Sequence, residues 1–427
     1  MLFYVDEISV RLIYTLDFVF KEHGLEYRLT NDKPVFESFE GIKVSYSDLE
    51  FENTPILNPA SLLFEETFRE SIRVEKGSWH GVDCLQFDGV SDPLSSIFYV
   101  LTRYEEYHPK FPDEHGRFTA KESIQSKFGW LHLQIVEHWI EAFFRIYSPD
   151  DLKKLKLGIN VQIIPSFDID NTFAFKWKEG WRTWLSTGKD LLKNNKYRLK
   201  TRKLVQKGEL KDPFDSFETI RLVYKNYPDT RVFWHLGNYA KYDTNISWND
   251  PRHQELVQEM SSRGYLGLHP SYSSNYSDEK LNEEVVRIKT ITSKSITESR
   301  QHFLKLNLPK TYRRMMEQGF EKDYTMGYAD ESGFRAGTAR EHAFFDLLTN
   351  EAFPHYRIIP FVYMDGTLLE YKKLSIDKSL EVIDQLVDEV KKYGGVFCFI
   401  WHNETLAEAG KWKGWKKVFD HTLEQLK

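Results

Sequence analysis

From about residue 160 onward the chain repeats one unit, a short apolar run followed by a helix with readable ends, and this repetition limits the fold more than any other feature. Apolar runs suited to buried strands lie at 160–167, 230–237, 265–269, 296–303, 323–328, 357–364 and 396–401. Between several of them the helix boundaries are spelled out. Asp250-Pro251 opens one helix and Gly264 lies past its end, a second runs from Pro309 to Gly319, and a third runs from Ile376 to the Gly394-Gly395 stop. Strand–helix units in series predict a parallel sheet. Seven of them in succession predict a (β/α) barrel rather than an open sheet over residues 156–427.

The first 155 residues have a different texture. Helix-like stretches at 8–23, 94–107 and 131–147 and a strand-like piece at 41–46 do not alternate regularly, which predicts a smaller α+β domain in front of the barrel. A chain of 427 residues exceeds what one core ordinarily supports, so two domains, 1–155 and 156–427, are expected. No chemical motif stands out in the first. His108, His115, His132 and His138 lack the spacing of metal ligands and are read as surface or packing residues.

In such folds the chemistry collects where strands end at the C-terminal face of the sheet, and the conspicuous polar residues fall there. Asp168 and Asp170 follow the first run in Ser166-Phe167-Asp168-Ile169-Asp170, His269 ends Gly267-Leu268-His269-Pro270, and His402 closes the run 396–401. In Ser299-Arg300-Gln301-His302-Phe303 strand alternation would place Arg300 and His302 on one face. Two nearby carboxylates can divide labour, one held ionised and one moving protons, and a strand-end histidine needs little tuning to act as acid or base.

This ordered set resembles the polysaccharide deacetylase family, carbohydrate esterase family 4, over about residues 158–427. The resemblance implies a distorted seven-stranded (β/α) barrel and a metal-dependent hydrolase that removes acetyl groups from N-acetylated sugars. It implies that Asp168 is the catalytic base, Asp170 and His269 are metal ligands, Arg300 orients the base and His402 is the general acid. The stretches 323–328 and 333–338 resemble a bacterial subgroup of that family. The family's second motif is His-x-x-x-His, whereas Ser273 stands four positions after His269 here, so His302 is expected as the third ligand. An O/N/N set of this kind suits Zn²⁺, with Mn²⁺, Ni²⁺ or Co²⁺ also tolerated.

Two other readings compete. Asp168-Ile169-Asp170-Asn171-Thr172 also matches the nucleophile motif of haloacid dehalogenase-like phosphatases, with Asp168 as the phosphorylated residue and Asp365 as half of a downstream acidic pair. A non-catalytic carbohydrate-binding homologue would account for Ser273.

The net charge of -6 provides no attraction for phosphate backbones, so nucleic acid is excluded as a partner and an N-acetylated carbohydrate is expected. Only Cys84 and Cys398 are present, and the N-terminus shows no basic region, apolar core or cleavage site, from which a cytoplasmic location is expected. The segment 176–211 carries twelve Lys/Arg against three acidic residues, with Trp177, Trp181 and Trp184 spaced for one helical face. It predicts either a surface helix covering the barrel flank or a weak contact with anionic lipid or a lipid-linked sugar.

Overall fold

The computed structural model describes residues 1–108, 111–155, 157–158, 161–178, 180, 187–188, 190–192 and 194–426. Its first strand comes from residues that carry no periodic signal. β1 (Leu2–Val5) is buried on both faces and sits between two parallel partners, β2 (Arg28–Thr30) and β3 (Lys43–Tyr46). The predicted helix at 8–23 follows as Val10–Phe20, started by the Ser9 hydroxyl accepting the Leu12 N–H, and finishes in a 3-10 turn at Lys21–His23. A three-stranded antiparallel sheet of β4 (Val74–Trp79), β5 (Val82–Phe87) and β6 (Val90–Ser91) lies under helices Pro93–Leu101 and Ile135–Tyr147. Residues 1–148 are thus α+β in content.

The remaining strands form one nine-stranded sheet. They are β7 (Val161–Ile169), β8 (Arg231–Trp234), β9 (Tyr265–Leu268), β10 (Glu298–Ser299), β11 (Lys322–Asp323), β12 (His342–Asp346), β13 (Glu351–Ile358), β14 (Tyr363–Met364) and β15 (Gly395–His402). The order is β12-β13-β11-β10-β9-β8-β7-β15-β14, parallel throughout except for the antiparallel pair β12–β13. The βα texture therefore gave the parallel core correctly. Helix Pro251–Arg263 starts at the Asp250 cap and Ile376–Tyr393 stops at Gly394, φ 80°. Gly395 also has positive φ (107°), and a Cβ there would fall 2.9 Å from the Ala339 carbonyl carbon.

Closure into a barrel is not what the strand ladder shows. The run 357–364 divides: Arg357 and Ile358 pair with β11, then the ladder lapses and resumes at Tyr363 and Met364 beside β15. Within the lapse the Phe361 N–H donates to the Met326 carbonyl (3.0 Å) and the Val362 N–H to the Cys398 carbonyl (2.8 Å), so single hydrogen bonds, not a ladder, reach both ends of the sheet. Two other predicted strands shrink to two residues each. After β10 the chain turns sharply, with Phe303 at φ 61° and Leu304 at φ 53°; after β11 the Asp323 carboxylate takes the Thr325 N–H and hydroxyl. Arg300 and His302 consequently do not alternate along a strand: Arg300 follows β10 and His302 opens a 3-10 turn.

One hydrophobic cluster runs from Phe3, Leu12 and Val136 to Phe345, Tyr356 and Phe397, so residues 1–148 and the large sheet share a core. Side-chain bonds cross the same boundary, among them Tyr14 OH to the Ala343 carbonyl and Glu106 to Arg335. Both cysteines are buried and unpaired. Among the described residues no helix is long and apolar enough to cross a membrane.

Candidate functional site

The C-terminal ends of β7, β8, β9 and β15 lie side by side, with His402 paired in register with Asp168 and Ile169 with Trp234. Gly267 is what lets β8 and β9 approach here, because a Cβ on it would meet the Phe233 ring at 2.5 Å and the Glu298 carbonyl at 2.8 Å. Asp168, Asp170, His269, His302, Asp365 and His402 line one cleft at these ends.

Each group is aimed by a specific partner. Asp168 accepts from Arg300 Nη1 (2.8 Å), and the fully buried guanidinium is fixed by the Ser166 hydroxyl and the Tyr324 carbonyl (2.9 Å each) and lies over the Phe233 ring. His269 Nδ1–H donates to the Arg300 carbonyl (2.6 Å) and His302 Nδ1–H to Asp243 (3.1 Å). With both Nδ1 positions so occupied, the Nε2 atoms of His269 and His302 face Asp170, at 3.0 Å from Oδ1 and 3.4 Å from Oδ2, and, against burial, Asp170 and Asp243 raise the His302 pKa to about 9.

The 3.0 Å separation lacks hydrogen-bond geometry, and Asp170 Oδ1 is buried without a hydrogen-bond partner. Two imidazole nitrogens facing one carboxylate are the donors an ion needs, the ion taking the place of the His302 Nε2 proton. Ligand atoms about 2.0–2.1 Å from a tetrahedral Zn²⁺ stand roughly 3.3 Å apart. The ligand atoms of Asp170, His269 and His302 lie within 4.8 Å of one another. The donor set fits a divalent metal.

The fourth group is a dyad. His402 Nδ1–H donates to Asp365 Oδ1 and its backbone N–H to Oδ2 (2.8 Å each), while Thr405 also donates to that carboxylate. Burial opposes a charged imidazole, yet Asp365, then Asp170 and Asp168, hold the His402 pKa well above the usual histidine range. His402 Nε2 points into the cleft, 3.6 Å from Asp170 Oδ2. Asp170 is held well below the usual carboxylate range, against its own burial, by His302, His269 and His402.

Comparison with known proteins adds little at the level of sequence. Residues 1–148 match the model of a family of unknown function (DUF7033). No curated protein matches the chain. Among solved structures, a protein described as a polysaccharide deacetylase from Mycobacterium smegmatis is similar at 11% identity and TM-score 0.40, covering 62% of this chain and 84% of that one. A polysaccharide deacetylase from Bacillus cereus is similar at 12% identity and TM-score 0.31, covering 62% and 87%, and an allantoinase at 12% and 0.38, covering 62% and 84%. Likenesses this weak carry no argument about activity.

The structure brings all six sequence-predicted residues, Asp168, Asp170, His269, Arg300, His302 and His402, to one place. Ser273 stands apart: its N–H and hydroxyl donate to Asp243 Oδ2 (3.1 and 2.7 Å), so it buttresses the carboxylate behind His302. Sequence reasoning missed Asp243, His235 and Arg117, and it weighed Asp365 only as half of a phosphatase's acidic pair, not as the partner of His402. Asp365 and His235 each follow a short apolar strand, the signal that found His402; Asp243 sits in an irregular loop. Arg117 reaches the cleft from the N-terminal region, donating to the Phe303 carbonyl (2.8 Å), Tyr371 OH (3.1 Å) and Asp113 (2.7 Å).

In 176–211, Trp177 packs edge-on against Phe173, with Lys176 and Arg252 over its ring. Trp181 and Trp184 lie outside the described residues, and so does the single helical face predicted for the three indoles.

Proposed function

We propose that this protein is a metal-dependent hydrolase that removes acetyl groups from N-acetylated sugars. The observation that carries the reading is that His269 and His302 each turn Nε2 toward one oxygen of the Asp170 carboxylate, whose Oδ1 has no hydrogen-bond partner, beside an Arg-oriented Asp168 and an Asp-held His402. Asp170, His269 and His302 would hold the ion, Zn²⁺ before Mn²⁺, Ni²⁺ or Co²⁺. A divalent ion there supplies Lewis acidity for an acetamide carbonyl and for water.

The chain's own groups divide the proton work. Asp168 presents Oδ2 to the cleft while Oδ1 is tied to Arg300, so it can take a proton from attacking water without swinging away. His402, kept protonated by Asp365, gives its Nε2 proton to the departing amine. The phosphatase alternative fares worse, because Asp365 is committed to His402, Asp168 Oδ1 is bound by Arg300, and no lysine lines the cleft among the described residues.

The same reading takes the sheet as a barrel interrupted at 359–362 and divides the chain near residue 155, with Arg117 as the first part's contribution to the cleft. A contact with anionic lipid through 176–211 is an addition to it, supported by the exposed Leu191, Leu192 and Tyr197 among the basic residues, though Trp177 is engaged elsewhere. The test is acetate release from N-acetylated chitooligosaccharides and monosaccharides by chain stripped of metal and reloaded with Zn²⁺, Mn²⁺, Ni²⁺ or Co²⁺. Metal-dependent acetate release is expected. Phosphate release from phosphomonoesters without any acetate release would replace the reading with the phosphatase one.

A further inference from the structure

Behind His302, on the side away from Asp170, lies a second set of ligand-type atoms. His235 follows β8 and is fully buried, Asp243 is 1% exposed and His302 is 4% exposed. His302 Nδ1 is 3.1 Å from Asp243 Oδ1, His235 Nε2 is 3.8 Å from the same oxygen, and the ligand atoms of the three lie within 4.8 Å of one another.

His235 is the unexplained member. Its Nδ1–H donates to the His269 carbonyl (3.4 Å), which leaves Nε2 as a lone pair, and that nitrogen is buried with no hydrogen-bond partner. A buried acceptor without a donor loses its hydration with nothing in return, and a native protein keeps one when something else satisfies it. Asp243 is held rigidly toward it: Oδ1 accepts the Tyr272 N–H (2.8 Å), and Oδ2 the Ser273 N–H and hydroxyl. Oδ1 also accepts the His302 Nδ1–H (3.1 Å), the bond that an ion at this position would replace. The His235 and His302 rings stand 5.1 Å apart at 33°, and His235 Nε2, 3.8 Å from Asp243 Oδ1, is too far from it for a direct bond.

We propose that His235, Asp243 and His302 form a second divalent-metal site, with the His302 imidazole bridging it to the ion at Asp170 and His269. His302 would bind one ion through Nε2 and the other through Nδ1. Occupying the second position displaces the Nδ1 proton to solvent, so the ring bridges as imidazolate and its negative charge is shared by two cations. A bridging ring locks His302 and ties the loop carrying Tyr272 and Ser273 to the cleft. This inference rests on the proposed function only through His302; His235 has no part in that mechanism, and Asp243 enters it only by orienting His302.

The probe is Zn²⁺ itself. The full chain, stripped of metal and dialysed against buffered Zn²⁺, is expected to retain two zinc ions per chain by elemental analysis. His235→Ala and, as a near-isosteric check should that variant fold poorly by circular dichroism, Asp243→Asn are each expected to retain one. Asp170→Asn is also expected to retain one. A parent chain that saturates at one zinc, kept in His235→Ala and lost in Asp170→Asn, overturns the second site and leaves the first intact. Two zinc ions retained in both His235→Ala and Asp243→Asn overturn it as well. No zinc in the parent chain would overturn both readings together.

Discussion

Where residues 1–148 meet the large sheet, buried Glu106 lies between Arg103 (2.7 Å) and Arg335 (2.9 and 2.5 Å), and Glu137 collects His23 (2.8 Å), Thr338 (2.7 Å) and Arg340 (3.4 Å). At the strand ends, buried carboxylates and imidazoles are just as dense, but Asp170 Oδ1 and His235 Nε2 have no hydrogen-bond partner. Taking an ion out of water costs several kcal/mol, and the first region offsets that cost with opposite charges supplied by the chain itself. The second supplies counter-charge too, but leaves a carboxylate oxygen and an imidazole nitrogen without a hydrogen bond. The difference separates buried charge that joins two parts of the chain from buried charge arranged for something the chain does not supply.

The largest effect is expected at Asp168. Asp168→Asn removes the base but keeps an oxygen for Arg300, so turnover per folded, metal-loaded chain should fall about 10²–10⁴-fold on whichever N-acetylated sugar releases acetate. Zinc content per folded chain should stay within error of the parent. Turnover within tenfold of the parent would remove Asp168 from the chemistry and erase the functional half of the contrast.

At the other pole, Glu106→Ala should destabilise the chain by about 3–5 kcal/mol, because it leaves Arg103 and Arg335 buried without their shared counter-charge. Denaturant midpoints measure this, and metal bound per folded chain should not change. A loss under about 1 kcal/mol would mean that the two guanidiniums are rescued by Glu105, Gln125 and the Gly327 carbonyl.

Glu137 gives the contrast a pH dependence. Burial pushes its carboxyl up, but His23, Arg340 and Thr338 together hold it at about 2. A carboxyl depressed from about 4.3 in the unfolded chain adds stability above that pH, and the gain is lost as pH falls through the folded value. The advantage of the parent over Glu137→Gln should therefore shrink by about 3 kcal/mol between about pH 5 and pH 2. A difference that stays flat over that window would show that shape, not charge, decides this site.

How much of this was legible in the sequence follows from range. Asp168, Asp170, His269 and His402 each end or follow an apolar run, a local pattern, so their gathering at one face could be read from strand alternation and the parallel fold. Arg300 and His302 come to the same strand ends by another route than the one read from the sequence: a turn at Phe303, not strand alternation, sets their direction. Asp243 and Arg117 act across distances the pattern does not encode, Arg117 reaching Tyr371 over 254 positions of sequence. The lapse of the strand ladder at 359–362 could not be read, because a continuous apolar run looks the same whether its hydrogen bonds go to one neighbour or are divided between two.

The smallest effect is the most discriminating for the metal site. Ser273 occupies the position where the resembled family has its second histidine, and a serine hydroxyl there could in principle complete the ion's ligands. In the structure its hydroxyl donates to Asp243 Oδ2 (2.7 Å), and the same oxygen also receives the Ser273 N–H, which a substitution leaves in place. Ser273→Ala therefore removes one of two bonds to a carboxylate that itself stands behind a ligand. A single hydrogen bond contributes about 0.5–1.5 kcal/mol net, and only part of that reaches His302. Loss of a supporting group for a ligand weakens metal binding by about 10–100-fold, so a half-removed support should cost less than tenfold in zinc affinity, measured by competition with a chromophoric chelator. His302→Ala should cost at least that 10–100-fold in the same assay. If Ser273→Ala matches His302→Ala, the hydroxyl is a ligand and the third position belongs to the loop after His269. If it barely registers, His302 holds that position, and the partnerless oxygen of Asp170 is explained by an ion between it and two imidazoles.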